Sequence, residues 1–132
     1  MTIRLVIIGG GPGGNTAATW AARLGAEVTI VERDIMGGAA HLLDCIPSKA
    51  MIATGGAVSA TKRFAGMGLE QHAAEIDVEH LAERIDGIRT RLENTTTQLL
   101  DSQGIRIIRG EASFVDAHTV TVRTAAGEER IE

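Results

Sequence analysis

The chain has no tyrosine, two phenylalanines and one tryptophan, so aromatic residues make up only 2% of it. A core must therefore be aliphatic, and the aromatic platforms that hold single-stranded nucleic acid are missing. A single cysteine, Cys45, excludes a disulfide within these 132 residues. Acidic and basic residues are interspersed and sum to a net charge of -4, which leaves no electrostatic footprint for nucleic acid or an anionic membrane. No run approaches the roughly 20 apolar residues of a membrane helix. The N-terminus passes from Arg4 straight into a strand pattern, without the basic segment, apolar core and cleavage site of a secretory signal. These absences predict a protein of the reducing cytoplasm, with neither nucleic acid nor membrane as partner.

What the chain does have is glycine, 16 residues of it, and 44% hydrophobic residues in a length that supports one core. Ile3 to Ile8 is a β-branched apolar run ending in glycine, which predicts a strand buried on both faces of a parallel sheet. A helix from about Gly13 to Leu24 follows, its Ala17, Ala18, Ala21 and Ala22 allowing close approach to the sheet, and Gly25 ends it. Ala26 to Glu32 repeats the strand signal, completing a right-handed β-α-β unit.

A second helix is expected from about Cys45 to Lys62, with Pro47 and Ser48 in its first turn, where proline sacrifices no helical bond. Val78, Leu81, Ile85, Ile88, Leu92 and Leu99 recur at three- and four-residue steps, apart from a polar gap at Thr95. That spacing predicts an amphipathic helix from Val78 to Ser102, long enough to want a helical partner. Ile105 to Arg109 reads as a third sheet strand. Glu111 to Val115, Thr119 to Thr124 and Glu128 to Glu132 read as a small antiparallel meander. The last strand has barely begun at Glu132, so the chain is expected to be part of something longer.

Gly9-x-Gly11-x-x-Gly14 satisfies the dinucleotide pattern in the context it requires: after a strand, opening a helix, with an acid at the end of the next strand. Gly9 permits the tight turn, Gly11 lets backbone approach a pyrophosphate, and Gly14 lets helix and strand pack closely. Pro12 and Gly13 complete the turn, and the helix N-terminus offers unpaired amides to an anion. Glu32, 18 residues after Gly14, stands where a carboxylate accepts hydrogen bonds from a ribose diol and repels a 2′-phosphate. Arg33 follows it and would favour the phosphorylated ribose instead. On the glycine turn alone, NAD is a candidate cofactor, as in a simple dehydrogenase with the same turn.

The run Gly37-Gly38-Ala39-Ala40-His41-Leu42-Leu43-Asp44-Cys45-Ile46-Pro47-Ser48-Lys49 resembles the active-site segment of the pyridine nucleotide-disulfide oxidoreductases, as do the glycine turn and Gly110-x-Ala112-x-Phe114. The resemblance implies a Rossmann-like α/β FAD-binding domain, of which residues 1–132 would be the N-terminal part. The NAD(P)-binding domain and the domain through which family members form homodimers would lie outside them. It further implies FAD as cofactor and NAD(P)H as co-substrate. Gly37, Gly38 and Ala39 would lie along the pyrophosphate and ribitol through backbone contacts, Lys49 would contact the flavin, and the Ala112 backbone would meet the adenine.

In that family two cysteines with four residues between them form a disulfide against the flavin. Here the second position is Cys45 and the first is Ala40, which has no sulfur to attack or to pair. Electrons would then leave directly to a small-molecule acceptor such as a quinone, a dye or dioxygen. The wording of this segment is similar to a subgroup of actinobacterial proteins named as lipoamide dehydrogenases but acting as NAD(P)H:quinone reductases. Two other readings stay open, a dihydrolipoamide dehydrogenase that has lost its first redox cysteine and a non-catalytic nucleotide-binding fragment. Cys45 is expected beside a helix N-terminus, either as a favoured thiolate or as a small packing residue. His41 and Asp44 read as loop residues. His72, His80 and His118 lack metal-ligand spacing.

Overall fold

The computed structural model describes residues 2–69 and 73–132. His72 therefore lies outside the described residues. Strand β1 (Arg4–Ile8), helix α1 (Pro12–Arg23) and strand β2 (Glu27–Glu32) form the expected β-α-β unit. A π-helical turn (Ala40–Cys45) runs into α2 (Ile46–Thr61), and a 3-10 turn (Phe64–Met67) follows. Helix α3 (Val78–Ser102) then leads to β3 (Arg106–Arg109), β4 (Glu111–Phe114), β5 (Val120–Thr124) and β6 (Gly127–Ile131).

The first three strands make a parallel sheet in the order β1-β2-β3, and the last three an antiparallel meander. The α/β class read from the sequence, a Rossmann-like unit with a small meander, is the observed one. Because successive side chains of a strand point to opposite faces, β2 serves two cores. Val28 and Ile30 pack with Ala18 of α1, Leu100 of α3, Met36 and Ile105. Val31 packs with Ile108, Val120 and Val122 beneath the meander. The layers are helices, parallel sheet and meander, with β2 in the middle. Burying Ile30 completely contributes about 2–3 kcal/mol.

The expected burial of β1 on both faces does not occur. With β2 central, β1 is an edge, and Leu5 and Ile8 remain 37% and 44% exposed. Apolar composition alone does not reveal whether a strand has one neighbour or two.

Helix α2 has nearly the expected bounds, with Pro47 in its first turn, but a helical turn precedes it that was not expected. The backbone is already helical at Ala39 (φ -57, ψ -46), so Pro47 lies inside a continuous helical run. Proline cannot donate to the preceding turn, and its ring crowds the carbonyl four residues back. A wider π turn before it relieves both constraints. His41 and Asp44 are accordingly helical, not loop residues. Helix α2 tolerates Gly55 and Gly56 in its middle but has no buried residue, whereas α3 touches α1, α2 and β3. Asp77 caps α3 by accepting a hydrogen bond from the His80 amide at 3.0 Å, and that bond holds its carboxyl below the usual carboxylate range. Among the described residues no helix is long and apolar enough to cross a membrane.

Candidate nucleotide site

The site is built at the carboxyl ends of parallel strands, where open α/β sheets form their ligand crevices. β1 stops at Ile8, and the chain turns at Gly9, whose φ of +106 suits glycine. The Gly9 amide donates to the Val31 carbonyl at 2.8 Å, fixing the turn to β2. A Cβ at Gly14 would land on the Gly9 carbonyl oxygen, so the close approach of helix and turn excludes any side chain there.

Gly11 and Gly13 differ from Gly14. A Cβ at Gly11 would approach only the Gly38 Cα, at 3.9 Å, and one at Gly13 would meet nothing within 4 Å. No protein neighbour requires either to be glycine. Pro12 opens α1, and the helix has neither a side-chain cap nor an acidic residue in its first turn. Its leading amides and partial positive charge are thus unopposed by the chain.

Glu32 ends β2 and reaches back to the turn. Its Oε2 accepts from the Gly10 amide at 2.6 Å and its Oε1 from the Asp34 amide at 2.8 Å. A carboxylate has about four acceptor positions, so both oxygens keep capacity for a further donor. Arg33 is exposed, 3.9 Å from Glu111 in a contact too open to hold it firmly.

The second glycine segment lies against the first. The Gly37 amide donates to the Gly10 carbonyl at 2.8 Å, and a Cβ at Gly38 would come within 2.9 Å of the Gly11 Cα. Ala39 then leads into the π turn. The result is a cleft of about 360 Å³, whose walls include Gly9, Glu32, Arg33, Ala39 and Ala112. Five residues singled out from sequence, drawn from four separate segments, meet there. Asp34 and Gly110 also line it. Gly110 was legible only through its place in Gly110-x-Ala112, and a Cβ on it would press to 2.5 Å from the Arg123 carbonyl oxygen.

Cys45 and Lys49 are not brought into this cleft. Ala40 opens the π turn and Cys45 closes it, both exposed, with Lys49 exposed one turn later on α2. Cys45 stands at the N-terminus of α2, as expected, but the next amide, that of Ile46, donates to the His41 carbonyl, so the helical run is continuous through it. His80 and His118 lie at the Asp77 cap of α3 and in the β4–β5 turn. Among the described residues no three His, Cys, Asp or Glu side chains are grouped to hold a metal ion.

A larger groove of about 1020 Å³ runs between β1 and the meander, past Ile3, Val6, Phe114, His118, Val120 and Ile131. It contains neither the glycine turn nor Glu32. Volume and chemistry point to different places, and the converging backbone amides and carboxylate identify the smaller cleft as the candidate site.

Known proteins resemble this chain in sequence and fold. Dihydrolipoyl dehydrogenase 2 of Haloarcula marismortui is 40% identical over 118 residues, 89% of this chain and 25% of that protein. The dihydrolipoyl dehydrogenase of Geobacillus stearothermophilus is 38% identical over 117 residues, again 89% of this chain and 25% of the relative. The crystal structure of LpdA from Mycobacterium tuberculosis superimposes with a TM-score of 0.85 at 29% identity, covering 98% of this chain and 30% of that one. The chain thus spans about a quarter of the length of the curated relatives it matches. The description "Pyridine nucleotide-disulphide oxidoreductase" matches residues 3–132. With the parallel sheet, the glycine turn and these relatives in agreement, the chain belongs to the pyridine nucleotide-disulphide oxidoreductase family.

Proposed function

We propose that residues 1–132 are the N-terminal part of the FAD-binding domain of an oxidoreductase that takes electrons from NAD(P)H and delivers them to a quinone-like acceptor. The observation that carries the nucleotide part is the cleft in which Gly9 of the glycine turn, Glu32, Ala39 and Ala112 converge. The open space at Gly11 and Gly13 fits a pyrophosphate, since the protein itself has no use for their missing side chains.

The residues divide the work. The turn and the first amides of α1 bind the pyrophosphate, and Glu32 accepts from the adenosine ribose. The backbone at Ala112 meets the adenine, and Gly37 to Ala39 follow the ribitol. Arg33 stands at the rim, where the Glu32 charge opposes a 2′-phosphate. Lys49 supplies a cation toward the flavin end, which favours the more anionic reduced ring. Bound FAD supplies the two-electron relay between a nicotinamide and the acceptor. NAD is the competing occupant of the same turn.

The acceptor follows from sulfur count. Passing electrons on to a dithiol substrate through a redox disulfide needs two cysteines, and this chain has Cys45 opposite Ala40. A quinone needs neither. The relatives named dihydrolipoyl dehydrogenase favour the second reading, a lipoamide enzyme without its first redox cysteine. The complete protein would act as a homodimer in the cytoplasm, without nucleic acid or membrane as partner.

Two measurements test the proposal. Mass spectrometry of ligand released by heat from the purified chain should find FAD, and finding NAD instead would overturn the cofactor assignment. The complete protein should reduce quinones and turn over lipoamide only after Ala40→Cys; brisk lipoamide turnover by the unaltered protein would overturn the acceptor assignment.

A further inference from the structure

We infer that Arg109 and Glu93 are positioning residues that aim the Glu32 carboxylate at the ribose, and so set the selectivity of the cleft for a free 2′-hydroxyl. The inference rests on the proposed role of Glu32. Its observation is a chain of hydrogen bonds running from the α3 surface into the cleft.

Glu93, half-buried on α3, accepts through Oε1 from Arg109 Nη2 at 2.6 Å. The same oxygen lies 3.4 Å from the Met36 amide, which donates to it. Arg109, the last residue of β3, uses its other terminal nitrogen to donate to the Asp34 carbonyl at 2.8 Å. Asp34 in turn donates its amide to Glu32 Oε1. One residue therefore faces the clamp with its carbonyl and the carboxylate with its amide.

Residues 33–36 connect β2 to the second glycine segment and belong to no helix or strand, so the sheet ladder does not fix them. Ile35 and Met36 are held by burial in the core, whereas at exposed Asp34 the clamp holds the backbone. Arg109 suits the task because its planar fork donates in two fixed directions at once, to a carboxylate and a carbonyl, which a lysine ammonium does not reproduce. The pair is partly exposed, so its direct contribution to stability is small. What it controls is direction. If the Asp34 carbonyl is released, the amide holding Oε1 is free to turn away, and the Glu32 carboxylate keeps only its Gly10 anchor.

The test compares the affinity of ADP with that of 2′-deoxy-ADP for the 132-residue chain, stripped of any bound flavin, by titration calorimetry. The parent should prefer ADP by about tenfold, the worth of a hydrogen bond to a charged acceptor. Glu93→Gln and Arg109→Gln should each reduce the preference below about threefold and leave 2′-deoxy-ADP binding within about twofold of the parent, because the pyrophosphate contacts are untouched. The double variant should lose no more than either single one.

A merely structural role would lower the unfolding midpoint and weaken both ligands alike, leaving the preference intact. A parental preference in Glu93→Gln and Arg109→Gln, with native circular dichroism, overturns the clamp. Should either glutamine variant fail to fold, Arg109→Lys keeps the cation without the fork and is judged by the same ratio. If the parent itself shows no preference, or binds neither nucleotide, the role of Glu32 fails first and the clamp falls with it.

Discussion

The cleft at the glycine turn and the helical run that carries Cys45 and Lys49 meet at Ala39, yet the chain organises them very differently. In the turn, Gly14 has no room for a side chain, Gly9 and Gly37 are bonded to their neighbours, and both oxygens of Glu32 are engaged. In the helix, Cys45 and Lys49 are exposed and α2 buries nothing. The cleft proposed for the adenosine end is thus formed within these residues. The flavin-ring end is not. Substitutions in the first region should disturb folding and binding together, and those in the second should disturb neither in this chain.

The largest expected effect is in the sheet that carries the cleft. Ile30→Ala, at a fully buried position, should cost about 3–4 kcal/mol by urea unfolding, whereas Ile8→Ala on exposed edge strand β1 should cost under about 1 kcal/mol. Equal losses would erase the distinction between a central and an edge strand. Next comes Glu32→Ala, which leaves the buried Gly10 amide without its acceptor. It should cost about 2 kcal/mol and weaken ADP binding at least about tenfold, read by unfolding and calorimetry on one sample.

A smaller effect is expected at the exposed thiol. Cys45→Ser should leave the stability of this chain within about 0.5 kcal/mol and quinone reduction by the complete protein within severalfold. Near-complete loss of reduction would show that the sulfur keeps a chemical role. The smallest effect concerns Asp77, whose carboxyl is lowered first by the His80 backbone amide and then by the His80 side chain. A carboxyl lowered on folding contributes stability above its ordinary value near 3.8, and that contribution is lost as pH falls through the folded value. Helicity at the start of α3 should therefore fray in acid in the parent, and Asp77→Asn should flatten that dependence in a circular-dichroism pH series. Identical curves would remove the cap from the account.

What was legible in the sequence follows the range of the interactions involved. Helix α3 has the predicted bounds, Val78 to Ser102, because an apolar period of three to four residues continues almost throughout and Asp77 stands before it as a cap. The glycine turn and Glu32 were legible for a similar reason, since their spacing is the constraint. The π turn escaped because Pro47 is equally at home opening a helix or distorting one, and only the helical backbone at Ala39 separates the two. The edge position of β1 escaped because strand order is a property of the whole sheet. The clamp escaped because Arg109 finds Glu93 16 residues away and Asp34 75 residues away, distances at which no local pattern carries a signal.

The smaller cleft, not the larger groove, should receive the nucleotide. Backbone amide shifts recorded by NMR on titrating FAD into the flavin-free chain decide between the two. Changes should concentrate at Gly9, Glu32 and Ala112 of the cleft, and at Gly11 and Gly13 in the adjoining turn. Changes confined to Phe114, His118 and Ile131 along the groove, or none at saturating FAD, would contradict it.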